Sequence, residues 1–501
     1  MIAYAFPPEG NAGVYRPLRF ARHLPSFGWQ PTVITVETES YERYDPSLVN
    51  QIPNGIEVIR VRNRDPWQAL QARRSRRIQE QRVSSEQTTH ILGLQQNPTR
   101  SRARELARSI EAWVYHPDIA MGWIAPAARA VEQACKRVRA DVIWATAGPV
   151  SSFHVAEKAS CRTGNPYVLD FRDAWTITYN EFDERRPEWA RRLDRRNMFR
   201  FLKGAQSVIF RYDSEAECYW RAYHGALDVS KIRIIPNGFE GDVELFTAVP
   251  GERCEVLYTG TLSDYRYDTL LQAIGLLKKS FPEEAARLHL HFIGEGTQAI
   301  AQQARELGLG DVITSEGALS QSAVMKRSKE AHGLLLLGRP PAMKGYELFA
   351  AAKLFGYLKA GQPILGVLPH DEAWQILQRL GVSTIADVES VVDIVAALRQ
   401  FLRNWSNGCL RSLIPEANAC RAFSAERQTQ TLVSALEGTP AVEPFVPGHV
   451  KIPDSLREEI SRRESLSKRK AMATLPRAEN SFCRPANSST AITARSNNNI
   501  N

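Results

Sequence analysis

The chain of 501 residues carries 64 Lys and Arg against 55 Asp and Glu, a formal charge of +9, and is 43% hydrophobic. That is enough apolar content for two cores of ordinary domain size. The cation excess suits an anionic membrane surface, nucleic acid or a phosphorylated substrate and does not choose among them.

No apolar run approaches the ~18–20 residues that a membrane span needs. The opening MIAYAFPPEG lacks a basic stretch and a long apolar core, so it is not expected to act as a signal peptide. Seven cysteines (135, 161, 218, 254, 409, 420, 483) are scattered without a CxxC pair. A disulfide framework or zinc site is not expected, and a reducing cytoplasm fits better. The ten histidines show no HxxxH spacing, and no metal ligands are expected.

In chain order, strand-length apolar runs fall at Ile2–Phe6, Pro31–Val36, Glu57–Val61, Asp141–Ala145, Tyr167–Asp170 and Ser207–Phe210. A second series follows at Val256–Thr259, His289–Ile293, Val312–Ser315, Gly333–Leu337 and Ile364–Val367. Helical periodicity lies between them, as in Arg16–Phe27, Ala125–Arg137 and Tyr267–Lys279. This alternation predicts an α/β protein with two Rossmann-like domains facing across a cleft, residues 1–235 and 236–413. Ligands in such sheets sit beyond the C-terminal strand ends. Residues 414–437 are expected to be helical and to brace the first domain. Residues 438–501, with only Phe445 and Phe482 as aromatics, are expected to stay disordered. The first strand should be central yet begins at the first residue, so the natural start is expected a few residues upstream.

Several loops carry candidate chemistry. Gly10 and Gly13, between the first strand and its helix, allow close backbone approach to a ligand, or form an ordinary turn. Arg172 and Asp173 close a buried strand at the sheet edge. There they meet phosphate or sugar oxygens and a hydroxyl, or simply pair with each other. Asn237-Gly238 reads as a turn favouring positive φ. Val256–Leu271 reads as strand, Gly260 turn and helix, with Arg266 either a phosphate ligand or a solvated side chain. In residues 342–367, a helix opens near Lys353, stops at Gly361-Gln362-Pro363 and gives way to a buried strand. A helix start facing a cleft offers unpaired N–H groups to a diphosphate. Two arginine-rich stretches, 71–108 and Arg185, Arg186, Arg191, Arg192, Arg195, Arg196, read as solvated faces or as a surface for anionic lipid. Nucleic-acid binding is not expected, because neither is interleaved with aromatics.

The segment KLFGYLKAGQPIL resembles the KLFEYL-x-AG-x-PIL signature of family 4 glycosyltransferases, which have the GT-B fold. FPPEGNAGVYRPLRFARHLPSFGWQPTVIT, DVIWATAGPVSS, GNPYVLDFRDAWT, IPNGF, VLYTGTLSDYRYDTLL and HFIGEG extend the resemblance in order over residues 2–435. It implies transfer of a sugar from a nucleotide-diphosphate sugar to a glycan or lipid-linked acceptor, with retention and without metal or other cofactor. Surface polysaccharide biosynthesis, in the cytoplasm or on the inner face of the membrane, is the family's commonest setting. The acceptor would lie in the first domain and the donor in the second. The resemblance assigns Arg172, Asp173 and Glu347 to catalysis. It assigns Gly10, Gly13, Gly260, Thr261, Arg266, Gly294, Glu295, Lys353 and Leu354 to the donor. Two positions depart from it: Gly356 replaces the glutamate that usually meets the ribose, and Thr261 replaces an arginine. A non-catalytic partner subunit and a sugar-nucleotide epimerase of the same fold are the alternatives.

Overall fold

The computed structural model describes residues 1–41, 43–64, 116–177, 186–247, 250–262, 265, 267–339 and 345–473. The arginine stretch at 71–108, Arg185, Arg266 and residues 474–501 lie outside these.

The first sheet is parallel throughout. β1 (Thr32–Val36) pairs with β2 (Glu57–Val61). β3 (Ile143–Thr146), β4 (Tyr167–Asp170), β5 (Ser207–Phe210) and β6 (Ile232–Ile234) pair in that order. Ile2 joins the two parts, bridging Ile34 of β1 and Ala145 of β3. The segment expected as a strand over Ile2–Phe6 is therefore central but pairs only at Ile2. The Tyr4 carbonyl accepts from the Thr35 and Tyr41 hydroxyls, at 2.9 and 3.2 Å, instead of a neighbouring strand. Pro7 and Pro8 then have no N–H to give to a ladder. Every residue of β3, β4 and β5 is buried, which is why these strands read as mainly apolar runs without polar alternation.

The second sheet has the order β12-β11-β10-β7-β8-β9, again all parallel. Its strands are β7 (Cys254–Thr259), β8 (Leu288–Ile293), β9 (Ile313–Gly317), β10 (Gly333–Leu337), β11 (Ile364–Leu368) and β12 (Ile385–Asp387). The order reverses between β7 and β10, so the crevice beyond their C-terminal ends is the switch point where α/β sheets bind ligands. The short strands β6 and β12 were not expected; three residues carry too little pattern to stand out.

Residues 235–239 join the two sheets. Gly238 does not take the positive φ expected of Asn-Gly. It is needed instead for close approach, because a Cβ there would lie 2.1 Å from the Phe423 carbonyl oxygen. The Ala425–Glu437 helix returns to the first sheet, where Leu432, Ala435 and Leu436 pack with Phe20, Trp144, Val168 and Ile209.

The expectation of a disordered tail from residue 438 fails for residues 439–473. Phe445, Leu456 and Ile460 are buried in the first-domain core, and the Arg457–Ala473 helix packs along the Asp213–Ala222 helix. Few apolar side chains suffice because each meets a surface that is already folded.

Candidate functional site

The first-domain wall is built by the loop after Ile2 and the end of β4. Arg16, the second residue of the Tyr15–His23 helix, is buried against Asp170 with Nη2–Oδ1 at 2.7 Å and Nε–Oδ2 at 3.0 Å. It also donates to the carbonyls of Ile235 and Pro236, both at 2.9 Å, tying the helix to the junction. Arg172 lies between two glycines. Its guanidinium donates to the carbonyls of Gly13 and Gly148, and a Cβ on Gly13 would approach Nη1 to 2.6 Å. Burial draws Arg172 below its usual range, with the neighbouring Asp173 charge opposing. Asp173 is exposed and lies 3.9 Å from Arg211 rather than pairing with Arg172. Gly10 donates to the Arg43 carbonyl at 3.0 Å.

The second-domain wall forms at the switch point. Gly260 follows β7 with φ +112°, and its N–H donates to Ile293 at 2.7 Å. Gly294 follows β8 with φ +143°; a Cβ there would lie 2.2 Å from the Gly260 oxygen. Both positions therefore demand glycine. Lys353, at the start of the Lys353–Ala360 helix, lies over Gly260: a Cβ there would lie 2.5 Å from its Cε. Its ammonium sits 3.9 Å from the Tyr258 ring centre and 4.9 Å from that of Tyr265. It donates to the Tyr258 hydroxyl and to the Thr261 carbonyl, the latter at 3.4 Å. Burial, then the nearby Arg339 charge, lower Lys353 to about 7. One turn on, the Tyr357 hydroxyl reaches both sides of the crevice, 3.2 Å from the Thr259 nitrogen of β7 and 3.3 Å from the Leu335 oxygen of β10.

The remaining expected residues divide. Thr261 contributes its carbonyl to Lys353 and Tyr258. Glu295 is exposed, and its carbonyl accepts from Leu262 at 3.0 Å. Leu354 does not present a ligand group: its side chain is buried in the second core and its amide bonds to Ala351 at 3.0 Å. Glu347 does not face an open cleft either. It is buried, accepting at Oε1 from the Ser455 nitrogen (3.1 Å) and at Oε2 from the Ser455 hydroxyl (2.6 Å). Gly356 is exposed, with nothing within 4 Å of an added Cβ. Of the arginine cluster, Arg186 is buried on Asp194, while Arg191, Arg192 and Arg195 converge on Glu188.

A polar seam between the domains lay beyond the sequence reading. The Ser214 hydroxyl donates to Glu372, and Arg211, paired with Glu215 at 3.0 Å, stacks 5.4 Å from the Phe349 ring. Burial pushes Asp371 and Glu372 up to about 7 each. Asp371 had a readable signal, a short acidic residue three positions before Trp374, whose N–H it caps at 3.0 Å. Ser455 had a weaker one, the spacing of Leu456 and Ile460 on one helical face. Among the described residues no three His, Cys, Asp or Glu side chains converge as a metal site requires, and no helix is long and apolar enough to cross a membrane.

No family model and no curated protein matches the chain. Among solved structures it is similar to the lipopolysaccharide outer core galactosyltransferase WaaB in its apo form. The TM-score is 0.50 at 13% identity, over 87% of this chain and 98% of that one. Sucrose-phosphate synthase from Thermosynechococcus elongatus has a TM-score of 0.47 at 14% identity, covering 93% and 94% of the two chains. WaaG, a glycosyltransferase involved in lipopolysaccharide biosynthesis, scores 0.45 at 15% identity, covering 87% and 96%. At such identities the likeness carries the fold alone. That fold is α/β with parallel sheets, the GT-B architecture of glycosyltransferases.

Proposed function

We propose that the chain is a glycosyltransferase that moves a hexosyl group from a nucleotide-diphosphate sugar to a glycan or lipid-linked acceptor. The observation that carries this reading is Lys353. Among the described residues no carboxylate is paired with it, and it sits at the switch-point crevice against the obligatory Gly260, which itself packs on Gly294. Such a cation, beside backbone that a ligand can approach closely, suits a diphosphate. Leaving-group charge would be stabilised by Lys353, the helix start behind it and Arg266, in a cleft that excludes water. The acceptor would lie against the first domain, near Arg172 and Asp173. Retention, independence of metal, a role in surface polysaccharide synthesis and contact with an anionic membrane belong to the same proposal. A thermal-shift screen against nucleotide-diphosphate sugars tests it. A ligand at 100 times its dissociation constant adds ~2.7 kcal/mol of stability. No shift with any donor, for a protein that Lys353→Met leaves equally stable, would overturn the reading.

A second reading has its own support. Glu347 is engaged by Ser455 and Gly356 brings no carboxylate, which favours a partner subunit that keeps the fold without the chemistry. It predicts neither transfer nor hydrolysis of any donor, and a stable complex with another protein.

A further inference from the structure

Residues 439–473 run back over the first domain and also meet the second domain, at the loop that holds Gly345, Glu347 and Leu348. Phe445, Leu456 and Ile460 are buried with first-domain residues, and the Gly448 N–H donates to Glu217 Oε2 at 2.9 Å. Glu464 of the final helix lies 3.8 Å from Arg221 on the Asp213–Ala222 helix. These anchors all sit on the first domain. Ser455 turns the other way, onto the loop that holds Gly345, Glu347 and Leu348.

There its hydrogen bonding is complete. The Ser455 hydroxyl accepts from the Gly345 N–H at 2.8 Å while donating to Glu347 Oε2, and the Ser455 N–H takes Oε1. The next residue in the loop, Leu348, is fully buried in the same apolar cluster as Phe445, Leu456 and Ile460. One hydroxyl and one N–H thus satisfy both oxygens of a buried carboxylate, as two adjacent hydroxyls of a sugar or ribose would.

We infer that this segment is an autoinhibitory latch. Anchored on the first domain, it occupies the Glu347 carboxylate through Ser455, and a diol-bearing donor must displace it. The inhibition rests on the donor reading of Glu347, whereas the latch itself does not. The polar clip is small compared with the anchors, so release needs only residues around 453–455 to move while Phe445, Leu456 and Ile460 stay seated.

The test uses the full chain and two variants. Ser455→Ala removes the hydroxyl, and Ser455→Asp sets a second carboxylate against Glu347. Hydrogen exchange at residues 345–348 is measured without ligand. Affinity for uridine- and guanosine-diphosphate sugars is then measured by calorimetry, with Ser455→Thr as the control that keeps a hydroxyl. The expected result is faster exchange at 345–348 in the Ala and Asp variants. Donor affinity should tighten on the order of tenfold, the scale of one charge-assisted hydrogen bond. Unchanged exchange would overturn the latch. Faster exchange with unchanged donor affinity would overturn the inhibition. Faster exchange in a protein that binds no donor in any form would overturn the donor reading while the latch stands.

Discussion

Lys353 makes the diphosphate proposal measurable as proton uptake. In the free protein its amine titrates at about 7, because burial and Arg339 both disfavour the charged form. At about pH 8 it is then ~0.1 protonated, and an anion that restores its usual value would draw in ~0.9 of a proton. At about pH 6 the amine is already charged and uptake falls to ~0.1. The sign follows: binding requires the cation, so affinity is flat below about 7 and weakens by about tenfold for each pH unit above it. A nucleotide-diphosphate sugar is the right probe, since its diphosphate carries no group that titrates near neutrality. The assay is calorimetry in buffers of different ionisation enthalpy, where the slope of heat against that enthalpy counts the protons. Lys353→Met should abolish both the slope and the pH dependence. Binding at about pH 8 with buffer-independent heat would refute the argument, because the diphosphate would then be held without recruiting this amine.

Other outcomes follow from the same geometry. Gly294→Ala forces a Cβ to 2.2 Å from backbone at φ +143° and should cost about 3 kcal/mol or more, read as a lower thermal midpoint. The three atoms nearest a Cβ at Gly13 all belong to the far end of the Arg172 side chain. The midpoint of Gly13→Ala should stay within about 1 kcal/mol of wild type while acceptor turnover falls as the guanidinium is displaced. Asp371 and Glu372 titrate at about 7 in the fold, above their unfolded values. Their contribution to stability is therefore fully present below about pH 4 and lost as pH rises through about 7. Glu372→Gln, whose carbonyl still accepts from Ser214, should raise the melting temperature at about pH 8 and leave it unchanged at about pH 4. Gly356 has open space around it, so Gly356→Ala should stabilise the helix by about 0.5–1 kcal/mol. Gly356→Glu should tighten donor binding in calorimetry, and no gain would argue against this crevice as the donor pocket.

What could be read without coordinates was whatever leaves a period or a steric demand in the chain. Buried parallel strands such as Tyr167–Asp170 and Gly333–Leu337 are mainly apolar runs, and the structure places them at those bounds. Glycines forced by close approach, Gly260 and Gly294, were visible as loop ends, though not which atoms approach them. Glu347 shows what stayed hidden. Its partner lies 108 residues away, in a stretch whose composition resembles a solvated tail, so local pattern held no trace of the contact. Likewise Ser214 and Glu372 meet only because two separately folded sheets face each other.

The return of the Ala425–Glu437 helix has a consequence for biosynthesis. Phe20, Trp144, Val168 and Ile209 rest against residues that leave the ribosome only after the whole second domain has been made. Through that interval the first sheet keeps an uncovered oily underside, a surface on which nascent chains stick to one another or to chaperones. The first domain is thus completed only after the second has been made, and a fragment stopping short of residue 425 inherits that sticky face permanently.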